Sequence, residues 1–177
     1  RALASPSDVS SLAKLCCILK EHELAPLMLG NCTNTVFPDE GMPDVFAIST
    51  EKLTKLFRLP DGAIYAEAGV PLSRLAAFAQ QNALAGLEFA SGIPGTVGGG
   101  LMMNAGAYGG EMKDAVESVV CYYLPEQRLY EVTAEKCGFE YRSSFFKKIP
   151  GNVILSAVFR LAPGDKDGIA VKMRELN

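Results

Sequence analysis

Two kinds of group in this sequence are suited to binding a charged ligand: backbone amides in glycine-rich loops, and a guanidinium placed beside a tyrosine. The longer loop is SGIPGTVGGGLMMNAGAYGG, residues 91–110, in which eight of twenty positions are glycine. Glycine loses the most conformational entropy on folding, so such a run indicates positive φ angles or a close approach to the backbone. Apolar residues such as Ile93 and Leu101 argue against a flexible linker. The run predicts a ligand cradle or, alternatively, a structural cluster of glycines.

A second loop, GNCTN at residues 30–34, follows the apolar segment LML, which we predict to be a buried strand. Its N–H groups can converge on an anion, although an Asx-type turn has the same composition. In the longer loop, TVGGGLMMN predicts a short helix, and the amides of Gly92 and of residues 95–98 are expected to point at an anion. The sequence matches neither a Walker loop nor GxGxxG, and it has no GxSxG nucleophile elbow. A pyrophosphate-bearing cofactor is compatible with both loops.

The guanidinium lies in CGFEYRSSFFKK, where Tyr141 and Arg142 are adjacent. Arginine presents a planar fork of donors that binds a carboxylate or phosphate through two parallel hydrogen bonds, which lysine does not. The alternative is a solvated turn with an aromatic anchor. The residue types therefore predict an anion-binding group or a surface turn, and the pair alone does not decide between them.

The elements that position these groups are predicted from periodicity and capping residues. A first helix follows SPSD, where Ser5 is the expected cap and Asp8 favours the positive end of the dipole. A second lies in VPLSRLAAFAQQNAL, with Pro71 at its start. Strands are predicted at VFAIS, AIYAEA, VESVVCYYL, RLYEV and NVILSAVFRL. TAEKCGF predicts a short capped helix, and APGDKDGIAVKMRELN a loop and then a helix. Because strands and helices mix without regular alternation, the predicted fold class is α+β.

Composition limits the classes of protein to which the chain can belong. It has 177 residues, 49% hydrophobic, with 17 Lys plus Arg against 20 Asp plus Glu. Dispersed charges without a basic stripe predict no nucleic-acid partner, and apolar runs too short for a bilayer predict no membrane partner. The five cysteines and single histidine lack paired metal-ligand spacing, so we expect no metal and reduced thiols in a cytoplasmic protein. The chain opens on Arg1 without a signal segment, which predicts an internal piece of a longer protein.

Three segments together, GNCTN, EFASGIPGTVGGGLMMNAGAYGGEMKD and CGFEYRSSFFK, resemble the flavin-binding part of the UDP-N-acetylenolpyruvylglucosamine reductase (UDP-N-acetylmuramate dehydrogenase) family in sequence, order and spacing. The resemblance spans almost the whole chain. It implies FAD bound in a two-lobed α+β domain of the vanillyl-alcohol-oxidase/PCMH type. NADPH would reduce the flavin, and flavin N5 would pass hydride to a UDP-sugar enolpyruvate substrate. The implied enzyme is a cytoplasmic bacterial oxidoreductase of peptidoglycan precursor synthesis, and therefore of cell-wall biogenesis, cell shape and division.

The resemblance also implies how the chain is organised. Residues 1–60 would form the first FAD-binding lobe, residues 61–165 the second, and residues 166–177 the start of a linker helix to a C-terminal substrate domain that is absent from this chain. In the family that domain carries the serine proton donor and a late glutamate. The chain alone is therefore expected to bind flavin at best and to lack turnover.

Carried over position by position, the resemblance assigns Arg142 to the substrate carboxylate and to the enolate-like charge that develops after hydride transfer. Tyr141 would support it. Ser143 and Ser144 belong to the same motif and are not expected to be the proton donor. The implied cofactor-binding residues are Gly30, Asn31, Cys32, Thr33, Asn34, Ser91, Gly92, Ile93, Gly95, Thr96, Val97, Gly98, Asn104, Ala105, Gly106, Tyr108 and Ile154.

One departure from the family pattern and two alternative functions remain open at this point. Cys32 stands where the family's G-x-G-S-N loop has its second glycine, so a positive φ there would be strained by the side chain. The first alternative is another flavin oxidoreductase of the same cofactor fold acting on an alcohol or hydroxy acid, with His22 as the available histidine for a covalent flavin. The second is a non-catalytic flavin-binding module or degenerate paralogue, which Cys32 and the short chain favour.

Overall fold

The computed structural model describes residues 2–176 and contains both helices and sheets. The strands are β1 (Ala2–Ala4), β2 (Leu27–Leu29), β3 (Phe46–Ser49), β4 (Leu56–Arg58), β5 (Ile64–Glu67), β6 (Leu84–Ala85), β7 (Gly106–Ala107), β8 (Gly110–Glu111), β9 (Val116–Tyr123), β10 (Arg128–Thr133), β11 (Asn152–Phe159) and β12 (Ala162–Pro163). The α-helices are α1 (Val9–Glu21), α2 (Leu72–Gln81), α3 (Val97–Met102), α4 (Phe145–Lys148) and α5 (Lys166–Glu175). Short 3₁₀ helices lie at Glu88–Ala90, Met112–Asp114 and Ala134–Cys137. Arg1 and Asn177, which the expected lobe and linker boundaries include, lie outside the described residues.

The first sheet is parallel, with strand order β1-β3-β2, and it packs against α1. Helix α1 buries Leu12, Cys16 and Leu19, the stripe that its periodicity predicts. The expected cap at Ser5 is wrong, because the helix begins after Asp8. The Asp8 carboxylate accepts the Ser11 N–H at 2.8 Å and so satisfies a first-turn donor.

The second sheet is antiparallel, with order β10-β9-β11-β5-β4. The predicted turn at Asp61 and Gly62 joins β4 to β5, with Gly62 at φ +91°. The expected lobe boundary at residue 60 falls between these two strands, which pair with each other in the same sheet.

Strand β11 is buried on both faces and belongs to both cores. Val153 and Leu155 pack with α1 and the first sheet, whereas Ile154, Ala157 and Phe159 pack with α2 and α3. The register shifts between Ile154 and Ser156, so Leu155 occupies a bulge. Its carbonyl accepts the Ala68 N–H at 2.8 Å. The two sheets therefore meet along one strand.

The remaining helices cover the second sheet. Helix α2 buries Leu72, Leu75, Ala76 and Ala79, as predicted. The segment predicted as a capped helix at TAEKCGF is instead a single 3₁₀ turn, Ala134–Cys137, whose N-cap makes no side-chain hydrogen bond. Gly138 at φ +53° ends it, which explains why the helix does not continue. In the described part of the chain, no helix is long and apolar enough to cross a membrane.

Candidate active site

The loop at residues 30–34 and the glycine-rich loop meet directly. A Cβ built on Gly30 would lie 2.7 Å from Thr96 Oγ1, well inside the distance of real Cβ contacts. Thr33 Oγ1 also donates a hydrogen bond to the Pro94 carbonyl. Only glycine at position 30 permits this approach. Two loops that are about sixty residues apart in sequence thus form one wall of a cleft.

Thr96 is the polar group that this wall buries. It is the N-cap of α3 and is 3% exposed, and its hydroxyl has no hydrogen-bond partner among the residues that the structure describes. An unpaired buried hydroxyl is costly, and a ligand oxygen at the junction of the two loops would supply the missing partner.

The backbone amides of the glycine-rich loop are engaged differently from the prediction. Val97 N–H donates to Val70 O at 2.8 Å, Gly98 N–H to Ala68 O at 2.8 Å, and Gly95 N–H to Ile93 O at 2.9 Å. The expectation that these three amides point at an anion is therefore wrong. The Val97 and Gly98 bonds fix α3 against the segment that follows β5, where a Cβ on Gly98 would lie 3.0 Å from Ala68 Cβ, whereas the Gly95 bond stays within its own loop.

The cleft itself is a cavity of about 110 Å³ between the two sheets. It brings together three of the predicted residues, Gly30, Gly98 and Ile154. Sequence reasoning missed several other lining residues, which are Met28, Leu29, Thr50, Ala68, Gly99, Met102, Asn152 and Val153. One signal for them was available, because polar Thr50 comes directly after strand β3.

The predicted cofactor residues at positions 31–34 and 91–93 lie in the loops beside the cleft, whereas Asn104, Gly106 and Tyr108 line a second cavity. Asn31, Thr33, Asn34 and Gly92 are exposed, and Cys32, Ser91 and Ile93 are half-buried. Cys32 has φ +58°, so the left-handed conformation that the sequence left open is present, with the strain expected for a side chain there. His22 caps the C-terminal end of α1 and lines neither this cleft nor the arginine pocket described next.

A second cavity, the arginine pocket, has a volume of about 200 Å³. Its lining residues are Asn104, Gly106, Ala107, Tyr108, Gly109, Gly110, Glu111, Tyr141 and Arg142. The β7–β8 hairpin forms one side of it. Both central residues of its two-residue turn, Tyr108 at φ +53° and Gly109 at φ +84°, are left-handed, which matches the twist of a tight hairpin. Tyr108 is 70% exposed at its tip.

The other side of the pocket is a turn held by the backbones of Glu140 and Ser143. Glu140 N–H donates to Ser143 O at 3.0 Å, and Ser143 N–H donates to Glu140 O at 3.2 Å. Between them, Arg142 adopts φ +52° and its guanidinium lies 5.8 Å from the Tyr141 ring centroid. A non-glycine residue held at positive φ beside a cavity is typical of a functional position.

The arginine pocket carries charges of both signs. A hydrogen bond from Lys113 lowers the pKa of the Glu111 carboxyl below its usual range, and Asn104 and the charge of Arg142 add to the effect. Glu111 is therefore ionised at neutral pH and faces the guanidinium as a fixed negative charge. An incoming carboxylate would meet a planar, always-charged donor there.

Ser144 is placed in the fold rather than in this pocket. Its side chain is completely buried, and Oγ donates to the Met102 carbonyl at 2.8 Å. This bond ties α4 to the end of α3. The sequence-based expectation that Ser144 is not a proton donor agrees with this contact.

Comparison with known protein families identifies the kind of domain that carries this cleft. A profile described as "FAD binding domain" matches residues 1–124. The chain belongs to the FAD-binding domain family. Gly30, the unpaired Thr96 hydroxyl and the apolar wall that includes Ile154 fit a flavin dinucleotide, because they combine close backbone approach, an unused hydrogen-bonding group and an apolar surface.

Similar proteins of this family carry one name. The chain is 39% identical over 175 residues to the UDP-N-acetylenolpyruvoylglucosamine reductase of Limosilactobacillus reuteri subsp. reuteri, covering 99% of this chain and 57% of that protein. It is 40% identical to the protein of that name from Carboxydothermus hydrogenoformans, covering 98% of this chain and 56% of the relative. The crystal structure of the Thermus caldophilus reductase superposes with a TM-score of 0.79 at 29% identity, covering 98% of this chain and 59% of that one.

These matches confirm the predicted resemblance and the α+β FAD-binding fold. The chain spans somewhat more than half the length of the curated relatives that it matches. The activity of the whole protein is therefore a matter for proposal.

Proposed function

We propose that this chain is the cofactor-binding part of an NADPH-dependent flavoenzyme that reduces UDP-N-acetylglucosamine enolpyruvate to UDP-N-acetylmuramate. The observation that carries the proposal is the arginine pocket, which lies in the same chain as the FAD-binding domain match. Arg142 is held at positive φ on a hydrogen-bonded turn, next to Tyr141 and to the glycine-rich hairpin that carries Tyr108. Relatives that match over nearly the whole chain carry the name of this reductase.

In this proposal the flavin, when bound, supplies the hydride, and the chain's own residues hold the reactants. Arg142 binds the carboxylate of the enolpyruvyl group and stabilises the negative charge that spreads onto it during reduction. The ring of Tyr141 supports the guanidinium from 5.8 Å. Gly30 and Thr96 hold the cofactor at the loop junction, and Ile154 contributes to the apolar wall beside it.

The organisation and setting of the enzyme are part of the same proposal. Residues 1–60 and 61–165 form the two cofactor lobes, and the segment from residue 166 leads toward the substrate-binding part of the protein. Helix α5 within it is docked by buried Ile169 and by an ion pair of 3.8 Å between Lys172 and the nearly buried Glu88. The reaction belongs to cytoplasmic peptidoglycan precursor synthesis, and so bears on cell shape and division.

The test uses the complete flavoenzyme and compares wild type with Arg142→Lys. We expect NADPH to bleach the flavin absorbance and the UDP-sugar enolpyruvate to restore it. Arg142→Lys should still be bleached by NADPH but should be reoxidised by the substrate about 10²-fold more slowly, because lysine lacks the two-pronged contact. A wild-type protein that NADPH reduces and this substrate does not reoxidise would refute the proposal.

A further inference from the structure

Asn104 is a buried polar residue in the wall of the arginine pocket. It is 1% exposed, has φ +42°, and lies between the end of α3 and the start of β7. Asparagine is among the few side chains that tolerate this backbone conformation. Its position is therefore fixed by the chain on both sides as well as by burial.

Both N–H groups of the Asn104 side-chain amide donate to acceptors within the protein. Nδ2 donates to Glu111 Oε2 at 3.0 Å and to the Glu140 carbonyl at 3.1 Å, while Oδ1 accepts the Lys113 N–H at 3.1 Å. A flipped amide would break all three contacts, because the two oxygens only accept and the backbone N–H only donates. The amide therefore has a single orientation and no N–H left for a ligand.

These contacts connect the two sides of the arginine pocket. Glu111 ends strand β8 of the hairpin and Lys113 follows it, while Glu140 opens the turn that presents Arg142. The turn is otherwise exposed, with Tyr141 at 84%. A bond from a fully buried amide to the Glu140 carbonyl anchors one end of the turn. The same amide holds the Glu111 carboxylate, whose charge acts on Arg142.

We propose that Asn104 is the positioning residue for Arg142, fixing the Glu140–Ser143 turn and the Glu111 counter-charge through one amide. The proposal rests on the proposed function for its kinetic consequence, but its structural part stands on the hydrogen bonds alone. Without the amide, the turn keeps its own backbone pair and two lysine contacts, from Lys147 Nζ to the Arg142 carbonyl at 3.2 Å and from Lys148 Nζ to the Glu140 carboxylate at 2.6 Å, but it loses its bond to the buried Asn104. The guanidinium then samples positions that do not meet the substrate carboxylate.

The first experiment measures amide hydrogen exchange at Glu140 and Ser143 in the purified chain. Asn104→Gly keeps a residue that accepts φ +42° and removes only the side chain. We expect both amides to exchange about tenfold faster, the factor that corresponds to one lost hydrogen bond. Asn82→Ala is the matched control, because it removes an asparagine bond to Phe78 O at the end of α2. Unchanged exchange in Asn104→Gly would overturn the proposal.

The second experiment separates the two half-reactions in the complete flavoenzyme. Each variant is first loaded with FAD to the same flavin absorbance. In loaded Asn104→Gly, reoxidation by the enolpyruvyl substrate should slow about 10²-fold more than NADPH-driven flavin reduction does, the size expected from misplacing a reacting group by about an ångström. Since Asn104 acts through Arg142, Asn104→Gly combined with Arg142→Ala should lose no more than Arg142→Ala alone. Asn82→Ala should behave as wild type.

The outcomes of the second experiment are distinguishable. A wild-type enzyme that the substrate does not reoxidise refutes the proposed function, and the exchange experiment then still decides whether Asn104 holds the turn. A wild-type enzyme that turns over, with Asn104→Gly matching Asn82→Ala or with fully additive losses in the double variant, refutes the role of Asn104.

Discussion

Gly30 and Thr96 meet where the two loops join, since the Thr96 hydroxyl oxygen lies 2.7 Å from the place where a Cβ at position 30 would be. That contact joins the loop after β2 to the start of α3. The same hydroxyl is the buried group left without a partner among residues 2–176. The close approach of the two loops and the unpaired hydroxyl therefore occur at the same place in the structure.

Gly30→Ala should weaken FAD binding because the new methyl group must displace Thr96. We expect the variant to fold and to lose at least about tenfold in affinity, equivalent to about 1.4 kcal/mol. The measurement is the visible flavin absorbance that remains after FAD is added and the protein is desalted. Gly168→Ala in α5 is the control, because its Cβ meets the exposed carboxylate of Asp165, which can move. Equal flavin retention in the two variants would contradict the prediction.

Cys32→Gly should stabilise the protein. Cys32 has φ +58°, where a side chain costs about 1–2 kcal/mol, and the extra freedom of glycine in the unfolded chain offsets part of the gain. We expect a net increase of about 0.5–1 kcal/mol in the free energy of unfolding, seen as a higher urea midpoint at unchanged slope. Cys32→Ala keeps the Cβ and removes only the thiol, so a similar gain in that variant would show that strain is not the cause.

Stability should fall at alkaline pH through the buried thiol of Cys121. Burial raises its pKa to about 12, whereas an unfolded thiol ionises near about 8.5. The contribution is fully present below the unfolded value and is lost as pH rises toward the folded one, because only the unfolded chain releases a proton in that window. Between pH about 8 and about 10 the loss is on the order of 2 kcal/mol.

Cys121→Ala should flatten this pH dependence while lowering stability at neutral pH. The matched control is Val119→Ala on the same strand, which also removes a buried side chain but no titrating group. Urea midpoints at the two pH values decide the matter. If both variants lose the same stability on going to high pH, the thiol is not responsible.

Ser144→Ala should lower stability without affecting proton transfer. Its hydroxyl is buried and donates to the Met102 carbonyl, so removing it leaves a buried acceptor unpaired at a cost of about 1–2 kcal/mol. In the complete enzyme, kcat should change by less than about threefold, compared with the 10²–10⁴-fold typical of a lost general acid. Ser143→Ala serves as the comparison, since Ser143 contacts Glu140 through its backbone. A large fall in kcat for Ser144→Ala alone would refute this assignment.

Local pattern predicted the elements that carry strong periodicity. Helix α2 buries Leu72 and Leu75 as expected. Three-residue strands such as β1 and β4 carry too little pattern to be recognised, because pairing partners rather than composition define them. The helix cap has a different cause: Ser5 and Asp8 are both good cap residues, and only the path of the chain shows that Asp8 is the one used.

The resemblance named three of the residues that line the cleft, Gly30, Gly98 and Ile154, but not the rest of its lining and not its contacts. The bond from Asn104 to Glu140 spans 36 positions and depends on how α3, the hairpin and the turn pack. Likewise, the sequence does not show that the amides of Val97 and Gly98 donate to carbonyls in the segment that follows β5. Such assignments require knowledge of which acceptors the fold brings near.

Strand β11 sends alternate side chains into both cores, with Val153 on one side and Ile154 on the other. The two sheets are therefore not independent units, since separating them would expose one face of the shared strand to water. Heat or denaturant should melt both sheets in a single cooperative step. The cleft should therefore be lost only when the whole chain unfolds, because its walls come from elements that fold and unfold together.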